Sequence, residues 1–195
     1  MKKYLIGAAA CLMAACSLTP VARTQWHQPG EIADFSADGR LAVQAGGRGS
    51  YANFDWLRQN GVQAIDINTP LGNTIGRLCR DAQGVLAVNA RGERFEADTA
   101  AELSEKLLGF VLPLQYLDVW ANGQWTADLP HQVTDKGELL QAGWLIDRQI
   151  NEEGRVRILT LNGEKLSIKL IFDNMALSEN AADSPSVCAI REEPA

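Results

Sequence analysis

The chain has 195 residues, with 18 Lys and Arg against 24 Asp and Glu, for a formal charge of −6. That length is enough for one domain with a sizeable core. The acidic balance repels nucleic acid and leaves no polybasic patch to attract anionic lipid.

The first residues set the compartment. Lys2 and Lys3 precede the apolar run "YLIGAAACLMAA", which is too short to span a membrane and has the layout of a secretory signal. It ends in "LMAAC", where Ala14 and Ala15 precede Cys16. This resembles the bacterial lipobox, with Met13 where leucine is commoner. The resemblance implies cleavage after Ala15, so residues 1–15 leave as signal peptide. It also implies S-diacylglycerol and N-acyl modification of Cys16. Ser17 follows, not the aspartate that retains Gram-negative lipoproteins in the inner membrane, so the expected destination is the outer membrane. Two lysines and no acids leave with the signal, which brings the charge to −8.

Of the four cysteines, Cys11 lies in the signal and Cys16 carries lipid, leaving Cys79 and Cys188. An oxidising periplasm permits a bridge, but Cys188 lies in a weakly patterned stretch, so the reading favours unpaired thiols. Residues 16–31 read as a lipidated tether, 32–177 as the domain, and 178–195 as a disordered tail.

From Arg40 the apolar residues alternate with period two. Leu41 and Val43 share a face, as do Ala52, Phe54 and Trp56. Asn60-Gly61 is a strong hairpin signal, and "TIGRLCR", "GVLAVNA" and "ERFEA" continue an antiparallel meander broken at Gly84 and Gly92. "QAGGRGSYA" lies between two strands and reads as a flexible turn, not a phosphate cradle. The period then becomes helical. Thr99 and Glu102 fit a capping box ahead of Leu103, Leu107 and Phe110. After Pro113, Leu114, Leu117 and Trp120 predict a second short helix that Gly123 stops. Strands resume, ending in a hairpin around Asn162-Gly163. Strands, two helices and more strands without βα alternation predict a mainly β fold with some α. The expected form is an antiparallel, unclosed barrel (a half-barrel) with a helical lid or plug over an apolar cavity.

No catalytic apparatus is visible. The histidines are His27, in the tether, and His131; no GxSxG, HExxH, Walker or GxGxxG motif is present, and no Cys/His spacing suggests a metal. The expectation is a non-enzyme without a cofactor. Trp56, Trp120 and Trp144 all fall on apolar stripes, as core or as the lining of a ligand cavity.

"GRLAV" (39–43), "YANFDW" (51–56), "NTPLGN" (68–73), "RFEADTAAEL" (94–103), "GFVLPLQYLDVWANG" (109–123), "QAGW" (141–144) and "KLSIKLIFDNM" (165–175) occur in this order over nearly the whole domain. Together with the lipobox they resemble the LolB family of outer-membrane lipoproteins. The resemblance implies an unclosed barrel around an apolar cavity for acyl chains. Its lining is placed at Phe54, Trp56, Leu107, Phe110, Trp120 and Trp144. It further implies a periplasmic carrier of the LolA type, acylated lipoprotein cargo and delivery into the inner leaflet of the outer membrane by a periplasm-facing monomer. In the family a leucine on a protruding loop is needed for that delivery; here it matches Leu71, in a turn shaped by Pro70 and Gly72. The alternative is a lipoprotein that binds lipid or another hydrophobic ligand without inserting anything.

Overall fold

A computed structural model describes residues 25–108, 111–178 and 186–192; of Leu107 and Leu108 only the backbone is described. The signal segment, Cys16 and Phe110 lie outside the described residues. The strands are β1 (Phe35–Ala45), β2 (Arg48–Gln59), β3 (Val62–Asn68), β4 (Thr74–Asp81), β5 (Gly84–Asn89) and β6 (Arg94–Ala97). Helix α1 (Ala100–Leu108), a 3-10 turn (Leu114–Tyr116) and helix α2 (Leu117–Ala121) follow. The chain then returns to β7 (His131–Val133), β8 (Leu139–Gln141), β9 (Trp144–Ile150), β10 (Val156–Asn162) and β11 (Leu166–Leu177).

All eleven strands join one antiparallel sheet in the order β6-β5-β4-β3-β2-β1-β11-β10-β9-β8-β7. The first and last strands pair at its centre, from Phe35↔Leu177 to Ala45↔Leu166. The ends, β6 and β7, do not pair with each other, so the barrel is unclosed. Alternation sets the faces. On β11, Leu166, Ile168, Leu170 and Phe172 are buried, while Lys169 and Asp173 point outward. The helices fall in sequence between the two sheet ends: α1 packs on β5 and β6, and α2 on β9. Thr99 caps α1 by accepting the Glu102 amide at 3.2 Å, as the Thr-x-x-Glu spacing predicts.

Gly39 marks where β1 slips register against β11. A Cβ there would drive into the backbone carbonyl of Ile171, so no larger residue fits without a shift. The two Asn-Gly pairs behave differently. Asn60 (φ 48°) and Gly61 (φ 78°) form the expected two-residue turn. Gly163 has no positive φ, and the β10–β11 hairpin closes through its amide on Leu166 O at 2.8 Å. Its glycine serves space instead: a Cβ would lie 3.1 Å from the Trp144 ring.

Three sequence expectations require correction. The tether does not extend to residue 31. Trp26 is buried in the main core and donates its indole N–H to Gly137 O at 3.0 Å, while His27 bridges to Gln124. Residues 186–192 are not a loose tail, since Cys188 and Ile190 are buried against the outer side of the sheet. There they pack with Cys79 and Leu86, and with the partly buried Val62, Ala64 and Val88. Cys79 and Cys188 are bonded, closing a separation of 109 residues. Asp81 holds the same segment, accepting the Cys188 amide at 2.8 Å and pairing with Arg191 at 2.8 Å. The segment forms a strap across β3–β5, opposite the face that α1 covers.

Candidate functional site: a leucine loop and a plugged interior

The β3–β4 connection follows directly from its sequence. Thr69 donates its amide to Asn73 O at 2.8 Å, and Gly72 donates to Thr69 O at 2.8 Å. The Thr69 hydroxyl accepts the Asn73 amide at 3.1 Å. Pro70 supplies the φ that the second turn position needs, and Gly72 takes φ 86°. At the base, the Thr74 hydroxyl bonds Asn68 at 2.8 Å, and Asn68 in turn bonds Asp55 at 2.6 Å. The loop is thus held on both strands, and Leu71 at its tip is 90% exposed.

The molecule contains its own control for that leucine. Three other hairpins repeat the same pair of backbone bonds: Asn89–Glu93, Thr134–Glu138 and Asn151–Arg155, with glycines at 92, 137 and 154. The residue before that glycine is Arg91, Lys136 or Glu153, a charge facing water in each case. Only the β3–β4 member of this set places an aliphatic side chain there. Turn geometry therefore does not call for Leu71.

The interior is occupied. Phe54, Trp56, Trp120 and Trp144 lie in one buried cluster with Phe35, Leu159, Leu161 and Phe172. Phe35 meets Trp56 edge-on at 5.1 Å, and Phe54 meets Phe172 at 5.4 Å. Four of the six predicted lining residues are thus brought together; the side chains of Leu107 and Phe110 lie outside the described set. Two concavities, of about 510 and 310 Å³, open on the outer face; Asp38 and Asp55 line both, with Arg40, Asn53 and Asp173 in the larger and Leu57, Ala64 and Asp66 in the smaller.

The two helices are held very differently. Asp118 in α2 is buried and pairs with Arg58 of β2 at 3.3 Å and Arg80 of β4 at 3.6 Å. Arg58 also pairs with Asp34 at 2.9 Å. Buried Arg148 donates to the Ala121 carbonyl at 2.7 Å, capping the C-terminus of α2 where a cation is favoured. Burial lowers the Arg148 pKa to about 10, so it stays charged at neutral pH. Gln141 uses its whole amide: its oxygen accepts Trp120 Nε1 at 3.1 Å and the Thr126 amide at 2.9 Å. Its nitrogen donates to the Thr126 and Leu129 carbonyls, each at 3.1 Å. Helix α1, by contrast, docks through Ala100 and Leu103 on Val85, and its Ser104 hydroxyl accepts the Leu112 amide at 2.9 Å. α2 is a pinned plug, whereas α1 rests on apolar contact.

A model of the family described as outer membrane lipoprotein LolB matches residues 33–174. The chain belongs to the LolB family. It is 43% identical to the outer-membrane lipoprotein LolB of Neisseria meningitidis serogroup A over 192 residues, covering 98% of this chain and 99% of that protein. The outer-membrane lipoprotein LolB of Chromobacterium violaceum is 31% identical over 179 residues, covering 89% and 98%. Among solved structures, a LolA superfamily protein from Nitrosomonas europaea matches with a TM-score of 0.44 at 8% identity, covering 78% of this chain and 90% of that one.

The pins on α2 are not legible in the sequence. Arg58, Arg80, Asp118 and Arg148 are scattered along the chain, and only the strand order assembles them. Gln141 carried a partial signal, as the polar member of the quoted "QAGW".

Proposed function

We propose that this protein accepts acylated lipoproteins from a periplasmic carrier and inserts them into the inner leaflet of the outer membrane. It would be anchored there by lipid on Cys16, facing the periplasm. No covalent bond changes and no nucleotide is consumed. Acyl chains cost about 0.8 kcal/mol per methylene in water, so three chains of roughly fifteen methylenes cost on the order of 30 kcal/mol. Such cargo does not cross the periplasm free, and an apolar host is needed at each stage.

The single observation that carries this reading is Leu71, held out on a rigid turn where three sister turns carry charge. Burying one leucine contributes only about 2 kcal/mol, too little to anchor a protein but enough for a reversible touch on a bilayer. That touch brings the cargo to the leaflet while the Cys16 lipid keeps the domain nearby.

Room for the chains comes from movement of α1. With α2 pinned by ion pairs and the Gln141 amide, α1 is the element that can leave the sheet without breaking a buried charge pair. The sheet surface it uncovers, Val85 with the partly buried Leu78, Ala87 and Phe95, is apolar. Transfer of a radiolabelled lipoprotein from purified carrier tests the reading. The protein should take up the cargo, then release it into added liposomes. Uptake without release would instead mark a binding lipoprotein that inserts nothing.

A further inference from the structure

The glycine-rich end of the β1–β2 hairpin has no part in the loop mechanism above. β1 and β2 stay paired out to Ala45↔Arg48, closed by Gly46 (φ 55°) and Gly47 (φ 77°). β3 leaves their side earlier, at Asn53↔Asn68. The outer part of the hairpin therefore projects past its neighbour, and residues 46–51 are all exposed. Tyr51 sits on this projection, 77% exposed, on the face opposite Phe54 and Trp56. Tyr51 lies two residues beyond the Asn53–Asn68 pair, on the strand next to the one that leads into the Leu71 loop. Leu71 and Tyr51 are the two most exposed large hydrophobic side chains among the described residues, and they share one corner. Ile75, 43% exposed, stands at the foot of the same loop.

Charge is polarised along the same axis. The β1–β2, β3–β4, β5–β6, β8–β9 and β10–β11 turns all lie on the Leu71 margin of the sheet. These turns and their first flanking residues carry Arg48, Arg91, Arg94 and Lys165 against Glu93 and Glu164. The turns of the opposite margin carry Asp81, Asp135, Glu138, Glu152 and Glu153 against Lys136 and Arg155. An acidic chain thus presents a cationic margin, which the overall charge conceals. Arg48 and Lys165 sit at adjacent hairpin tips, since Ala45 pairs with both Arg48 and Leu166.

A tyrosine ring with its polar tip suits the boundary between headgroups and acyl chains, and basic side chains suit the phosphates just above it. We propose that the β1–β2 hairpin end is a second lipid-contacting arm. Tyr51 seats at the interface of an anionic phospholipid leaflet beside Leu71, while Arg48 and Lys165 meet lipid phosphates. The arm sets which margin faces the bilayer, and it deepens the insertion role proposed above, on which it rests.

The test uses the full lipidated protein with Ser50→Cys carrying an environment-sensitive fluorophore. It is reconstituted in vesicles of roughly three parts phosphatidylethanolamine to one of phosphatidylglycerol, or of phosphatidylcholine alone. Emission should shift to the blue in both, further with phosphatidylglycerol, and Tyr51→Ala should abolish the shift. Arg48→Gln should slow cargo insertion about fivefold while leaving uptake from the carrier unchanged. An unshifted probe, or one that shifts only when carrier is added, overturns the arm, the latter by marking a protein-docking surface. Leu71→Glu and the native protein run in parallel. If Leu71→Glu stalls while Tyr51→Ala and Arg48→Gln insert normally, only the arm falls; if the native protein takes up cargo and releases none, the underlying insertion role falls.

Discussion

The Nε of buried Arg148 donates to the backbone carbonyl of Ala121 at 2.7 Å, tying the last turn of α2 to β9. With Asp118 held by Arg58 and Arg80, both ends of this five-residue helix are fixed to the barrel wall. So short a helix has little stability of its own, and its place as a plug depends on these pins. Asp118→Asn leaves two arginines without their shared carboxylate, and should lower stability by about 3 kcal/mol. Urea unfolding followed by tryptophan fluorescence measures this; an unchanged midpoint would show that α2 is held by packing alone.

Helix α1 makes the opposite prediction. Leu103 is 1% exposed and packs against Val85 of the sheet. Leu103→Ala should destabilise the protein by about 3 kcal/mol. If α1 is the moving element, the same change should speed uptake of a fluorescent fatty-acid analogue, because α1 docking competes with chain entry. Slower or unchanged uptake in a variant that remains folded would take α1 out of the gating role.

The strap adds stability by a separate route. A bond closing 109 residues restricts the unfolded chain, by about 5 kcal/mol in the chain-entropy estimate. Cys188→Ser, and reduction of the native protein, should lower the urea midpoint to the same extent. A midpoint that does not respond to dithiothreitol would mean that the strap adds nothing to the domain.

Asp81 gives the strap a pH dependence. Burial by itself raises its pKa, but hydrogen bonds from Arg191 and from the Cys188 and Gln83 amides outweigh that and hold the carboxyl below its ordinary value. A carboxylate with a lowered folded pKa contributes stability that is present above the unfolded value, near 4, and is lost as pH falls through the folded one. The difference in stability between the native protein and Asp81→Asn should therefore be constant above about pH 5 and shrink below pH 4. A difference that persists unchanged into acid would remove the ionised Asp81–Arg191 pair as its source.

How far the sequence disclosed these features depends on how local their causes are. Alternation on β11 and the Thr99 cap act within a few residues, and both are readable there. The strap is not, because its apolar run is only Val187 to Ile190, too short to show a period in a polar stretch. Its partners Val62, Ala64, Leu86 and Val88 become a patch only once the pleat turns them to the outer face. The burial of Trp26 is hidden for the same reason, its partner Gly137 being 111 residues away. Leu71 is legible as an aliphatic residue set between two turn formers, Pro70 and Gly72. The sister turns that make it informative emerge only from their shared hydrogen bonds.

The central claim is that cargo reaches the membrane through a weak, reversible apolar contact at Leu71. The most direct measurement is the rate at which Leu71→Glu passes a labelled lipoprotein, taken up from the carrier, into liposomes. The account predicts normal folding, normal uptake and stalled release. Release at the rate of the native protein would contradict it.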